Sequence, residues 1–140
     1  MVVSTYSGVS DAFTVDYANF NAPALFQAAS PYLVAQHADG SSVSPLSPAK
    51  PSEVIIFWGT GFERTISGLV VTNPSPLSDT VTGSIGGQPA TVDFAGVVGA
   101  GLVQINVHVP DKISTGDTNV IFTIGGVSTQ TTNNLISIQN

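Results

Sequence analysis

Leu102-Val103-Gln104-Ile105-Asn106-Val107-His108-Val109 alternates apolar and polar side chains without a break, and Pro110 ends the run. A period of two puts Val103, Ile105, Val107 and Val109 on one face and Gln104, Asn106 and His108 on the other, which is a half-buried β-strand. Proline stops it because its nitrogen has no hydrogen to give a ladder. The same period recurs on either side. Thr80 to Ile85 turns Val81 and Ile85 inward, and Pro89 to Phe94 turns Ala90, Val92 and Phe94 inward. Gly86-Gly87 between them supplies the positive φ of a two-residue hairpin turn.

Glu53 to Trp58 reads differently, because Val54-Ile55-Ile56-Phe57-Trp58 is apolar on both faces. Such a strand belongs in the middle of a sheet. Asn119 to Ile124 and Leu135 to Ile138 supply closing strands, and Tyr32 to His37 another that ends at the turn Ala38-Asp39-Gly40. Val43 to Pro51 holds three prolines and reads as an extended edge or crossing loop. Short strands separated by Gly, Pro, Asn and Asp, with helical periodicity nearly absent, predict an all-β, immunoglobulin-like antiparallel β-sandwich.

Composition narrows the partners. The 140 residues are 42% hydrophobic but only 9% charged, against about 25% charged in an average soluble domain. Mean hydropathy is +0.31. Ser, Thr, Asn and Gln must wet the surface, a pattern that points to an exported protein. Three cations, Lys50, Arg64 and Lys112, against nine acids leave a net charge of −6. They form no stripe for a phosphate backbone or an anionic bilayer, so neither nucleic acid nor membrane insertion is expected. The absence of cysteine excludes disulfides and thiol chemistry. Met1-Val2-Val3-Ser4 lacks the basic and apolar regions of a secretion signal, so an exported domain would carry its signal elsewhere in a longer parent chain. Asn73-Pro74-Ser75 is no glycosylation acceptor, because its middle residue is proline.

Val2-Val3-Ser4-Thr5-Tyr6-Ser7-Gly8-Val9-Ser10 can be laid over Val120-Ile121-Phe122-Thr123-Ile124-Gly125-Gly126-Val127-Ser128. Each is followed by a second strand-like run, Phe13 to Tyr17 and Leu135 to Ile138. Residues 1–22 then read as the closing hairpin and linker of a preceding repeat, and residues 23–140 as the sandwich. Chance similarity between two Gly-Val-Ser hairpins is the plainer alternative. The face formed by Phe13, Val15 and Tyr17 needs cover, from the main sandwich or from a second chain.

A family resemblance rests on several short pieces in order. They are Pro23-Ala24-Leu25-Phe26, Ala38-Asp39-Gly40-Ser41, Lys50-Pro51-Ser52-Glu53-Val54 and Gly59-Thr60-Gly61-Phe62, then Ile85-Gly86-Gly87-Gln88-Pro89-Ala90, Phe94-Ala95-Gly96, Gly101 to Pro110 and Gly125-Gly126-Val127-Ser128. Together, from Pro23 to Gln139, they resemble the C-terminal repeat domain of large secreted acidobacterial proteins. That family is similar in turn to the IPT/TIG branch of immunoglobulin-like folds. The resemblance implies a tandem array and brings no activity or ligand.

Chemistry-bearing residues are sparse. His37 stands at a strand end and His108 on a polar strand face, and neither has a nucleophile motif beside it, so both are expected to be solvated. Glu53, Glu63 and Asp93 are candidates for an acid pair, but edge charges that blunt a sheet are the simpler reading. Asp39, Asp111 and Asp117 lie in turns without the run of ligands a calcium loop needs, and turn chemistry is preferred. Gly96, Gly99 and Gly101 join two strands with no helix after them to hold a phosphate. Trp58 and Phe62 bracket the Gly59-Thr60-Gly61 turn, and Tyr32 is the third aromatic of a candidate sugar-stacking platform. A tryptophan buried in the sandwich core is the competing and favoured expectation.

The expected function is therefore a non-catalytic structural or adhesive module of a secreted or cell-surface multi-repeat protein, with no enzyme activity, cofactor or metal. Its partners would be neighbouring repeats or other surface proteins, and a homodimer through the N-terminal hairpin is one arrangement. The alternative is a carbohydrate-binding module that holds a glycan through Trp58, Phe62 and Tyr32.

Overall fold

The computed structural model of the chain describes residues 4–5, 8–9, 11, 21–63 and 71–140. Phe13, Val15, Tyr17 and Arg64, with the expected strand Phe13 to Tyr17, lie outside the described residues. In chain order the strands are β1 (Ser4–Thr5), β2 (Gly8–Val9), β3 (Ala24–Leu25), β4 (Ala35–His37), β5 (Val54–Thr60), β6 (Ser75–Pro76) and β7 (Val81–Ile85). They continue with β8 (Gln88–Ala90), β9 (Val92–Gly99), β10 (Leu102–His108), β11 (Gly116–Ile124), β12 (Val127–Ser128) and β13 (Leu135–Ile138).

Two antiparallel sheets pack face to face. One runs β3-β5-β10-β9-β6, with β4 also on β5; the other runs β12-β11-β7-β8, with β13 also on β11. If β3 and β4 are taken as the opening strand A and β12 and β13 as the closing strand G, the first sheet reads A-B-E-D with β6 as an added edge strand, and the second C′-C-F-G. That is the strand order of an immunoglobulin-like sandwich. Strand β5, apolar on both faces from Val54 to Trp58, is an inner strand, flanked by β10 on one side and by β3 and β4 on the other.

Alternation fills the interior as the sequence predicts. Ile55 and Phe57 of β5, and Val103, Ile105 and Val107 of β10, face Val81 and Ile85 of β7 and Val120, Phe122 and Ile124 of β11. Each such side chain contributes about 1.5–3 kcal/mol by leaving water. The sheets meet at an edge-to-face contact, with the Phe57 and Phe122 rings 5.5 Å apart at 66°. Space for the Phe122 ring comes from its cross-strand partner Gly83, where a Cβ would stand 2.9 Å from the ring.

The hairpin of β7 and β8 turns on Gly86 and Gly87, with φ of 60° and 74° as expected. The next strand departs from the sequence reading. The run from Pro89 to Phe94 is not one strand, because β8 ends in the second sheet and β9 begins in the first, with only Thr91 between them. Pairing then jumps from Val107↔Val92 to Asn106↔Phe94, so Asp93 is a bulge. Ala90 and Val92 still pack on the core, but the bulge turns Phe94 onto the outer face and sends Ala95 and Val97 inward instead.

The segment before β5 stitches the sheets together. Leu33 N–H donates to the Leu135 carbonyl and Ala49 N–H to the Ser137 carbonyl, so both lie alongside β13. The Gln130 side chain completes the seam. Its amide accepts from Leu25 N–H at 2.9 Å and donates to the Leu25 carbonyl at 2.8 Å, standing in for a strand neighbour.

The N-terminal hairpin exists but does not superpose on its expected twin. Ser4 pairs with Val9 and Thr5 with Gly8, whereas the overlay on Thr123↔Ser128 would pair Thr5 with Ser10. The two hairpins are alike in kind and differ in register.

Gly83→Ala is expected to lower stability by about 1–3 kcal/mol, since the new methyl meets a ring already fixed by Phe57. Denaturant unfolding monitored by far-ultraviolet circular dichroism checks this, and an unchanged midpoint would contradict the packing described.

Candidate functional site

The crossing loop before β5 folds over the end of β4 and frames an open cleft of about 560 Å3, lined by His37, Asp39, Leu46, Ser47, Lys50 and Glu53 among others. Local turn chemistry shapes it. Ser44 and Ser47 exchange backbone hydrogen bonds. Asp39 accepts from the N–H and hydroxyl of Ser41 at 2.9 and 2.6 Å, and these bonds hold its carboxyl below the usual range. Leu46 stands 98% exposed at the rim.

His37 is not the solvated histidine expected from sequence: its side chain is only 13% exposed. Its Nδ1 lies 2.6 Å from Glu53 Oε1, while Nε2 lies 3.2 Å from the Ser47 carbonyl and 3.3 Å from Ser47 Oγ. Glu53 Oε2 also accepts from Lys50 N–H at 2.8 Å. The signal missed in the sequence was spacing: three residues brought together by a proline-rich loop show no local motif.

Ser47, His37 and Glu53 thus stand in the order of a nucleophile, a base and an orienting acid. Their hydrogen bonding argues for another role. Burial opposes charge on His37, but the Glu53 hydrogen bond and the Ser47 carbonyl outweigh it and raise its pKa above the ordinary 6.5. Both ring nitrogens face acceptors, which suits an imidazolium, and an imidazolium cannot take a proton from Ser47. The cluster reads as a clamp that ties the loop to β4 and β5.

His108 is held in a similar way, with Nε2 2.7 Å from Asp93 Oδ2 and Nδ1 3.4 Å from the Ser52 carbonyl. The candidate acid pair therefore separates into local ties: Glu53 holds His37, Asp93 holds His108, and Glu63 accepts from the N–H and hydroxyl of Ser78 at 2.7 and 2.6 Å. Of the turn aspartates, Asp39 bonds locally as expected. Asp111 instead accepts from Ser52 Oγ and Asp117 from the Tyr32 hydroxyl, at 2.6 and 2.7 Å. Among the described residues no group of three or more His, Asp or Glu is placed to hold a metal ion. Among them, too, no helix is long and apolar enough to cross a membrane.

The three aromatics of the expected platform do not come together. Phe62 is fully buried, and its ring lies under Gly59 on the inner side of β5, so it has no face to offer a ligand. Tyr32 sits at the seam with β13, its hydroxyl on Asp117, which pushes its pKa up. Trp58 is neither in the core nor beside Phe62. It is half-buried on the outer face of β5, where Nε1–H donates to Gln36 Oε1 at 2.9 Å.

The clamp makes a pH-dependent contribution. Because the folded pKa of His37 is raised, its stabilisation is complete below the ordinary imidazole value and is lost as pH rises through the folded one. Wild-type denaturation midpoints should fall as pH is raised above the ordinary imidazole value, and His37→Gln should flatten that slope. Equal slopes for the two proteins would remove the clamp.

Compared with protein families, with curated proteins and with solved structures, the chain finds no match in any of the three. Its described residues establish an all-β domain of two packed antiparallel sheets.

Proposed function

We propose that the chain is a non-catalytic structural or adhesive module of a secreted or cell-surface multi-repeat protein. The observation that carries this reading is the state of its two histidines, each held between a carboxylate and a backbone carbonyl. Side chains committed in this way brace loops and are poorly placed to shuttle protons.

Further support comes from composition and resemblance. A surface wetted by amides and hydroxyls suits a protein outside the cell, and the ordered pieces from Pro23 to Gln139 resemble a secreted repeat domain. In that setting the partners are neighbouring repeats or other surface proteins.

Two measurements test the proposal. Hydrolysis of p-nitrophenyl acetate should be the same for wild type and Ser47→Ala; activity that disappears with Ser47 would instead make the cleft an active site. Fractionation of the producing cells should place the protein in the medium or on the protease-accessible surface. Retention in the cytoplasm would overturn the assignment.

A further inference from the structure

The outer face of the first sheet carries a row of side chains that neither the core nor the loop clamp uses. Trp58 of β5 lies directly opposite Gln104 of β10, and Gln104 lies opposite Gly96 of β9. Phe94, turned outward by the Asp93 bulge, covers Gly96: a Cβ there would stand 3.0 Å from Phe94 Cε2 and closer still to Cζ. One cross-strand row thus carries an indole, an amide and a phenyl ring. Two strand spacings, about 10 Å, separate the strands that bear the rings.

Hydrogen bonding prepares this row. The indole N–H is already satisfied by Gln36, whose own amide donates to the Gly40 carbonyl. Gln104 Nε2–H donates to Asn106 Oδ1 at 2.9 Å. Within that pair, the Gln104 carbonyl oxygen and the Asn106 amide hydrogens are left for a ligand. All four side chains of the row and its amide partner, Trp58, Gln104, Asn106 and Phe94, are half-buried and so held in place while still reachable.

We infer that this face binds a neutral oligosaccharide, lying across the strands from Trp58 to Phe94. The chemistry selects that class. Pyranose rings present C–H faces to aromatic rings and hydroxyls to amides, and the row offers both in alternation. Charge complementarity points the same way. The ionisable side chains of β4, β5, β9 and β10 are His108 and Asp93, which pair with each other at 2.7 Å, and His37, which lies opposite the inward Ile55 and is turned to Glu53. Among these described side chains an anionic or cationic sugar would find no free counter-charge. The inference rests on the adhesive form of the proposed function and supplies its ligand class.

Trp58 is the chain's single tryptophan, so its emission reports this face alone. The full chain is titrated with cellohexaose, xylohexaose and laminarihexaose, and with tetragalacturonate as the charged comparison. A saturable change in emission with at least one neutral probe, and none with the acidic one, is expected. Phe94→Ala and Gln104→Ala should each weaken binding by about tenfold, as should Trp58→Ala measured by calorimetry. Tyr32→Phe should leave it unchanged. If Phe94→Ala does not fold, Gln104→Ala, which alters one half-exposed amide, decides the matter. No response to any neutral probe from folded protein, or full affinity in Gln104→Ala, overturns the inference. Those outcomes leave the proposed function standing, which fails separately on turnover or cytoplasmic retention.

Discussion

The edge-to-face contact of Phe57 and Phe122 is the constraint on which the sandwich turns. Phe57 comes from an inner strand of one sheet and Phe122 from an inner strand of the other. Their meeting fixes the distance and register of the two layers. Gly83 is small because Phe122 leans over it, and Gly59 is small because the Ala24 carbonyl of β3 and then the Phe62 ring crowd it. Aromatic rings fill volume that branched aliphatics leave empty, and their geometry favours one arrangement over many. With the inner layer settled, every second residue of β5 and β10 is sent outward.

That outward set explains why much of the fold was legible in the sequence and why the placement of Trp58 and Phe94 was not. Strict alternation in Leu102 to Val109 identified both faces of β10 correctly, since only one face was apolar. In β5 the apolar residues occupy both faces, and periodicity has nothing to say about which of them faces in. Trp58 was therefore expected in the core and lies outside it. Phe94 was misplaced for a different reason. The sheet switch at Thr91 keeps Ala90 and Val92 on the core, but the bulge at Asp93 breaks the period of two and has no compositional mark.

The histidine clamp was hidden by distance along the chain. His37 and Glu53 are sixteen residues apart, joined by a loop whose prolines advertise only that it is extended. Turn residues fix a loop's shape locally, but the partner a side chain meets depends on where the loop lands. The clamp and the outer row also divide the first sheet between them. The clamp secures the end of β4 near Ile55, while the row crosses the middle of β5, β10 and β9.

The seam formed by Gln130 bears on how the chain reaches this state. Its two bonds to Leu25 join residues 105 apart in sequence, and Leu33 finds Leu135 across a similar span. Closing so long a loop costs entropy before any contact rewards it. The hairpins β7–β8 and β9–β10, whose turns are two residues long, pay almost none of that cost. The long-range seam is thus the part of the fold that costs the most chain entropy to close, and the two hairpins cost the least. An amide that imitates a missing strand neighbour therefore ties the segment after β12 in one sheet to β3 in the other, across the longer of the two loops.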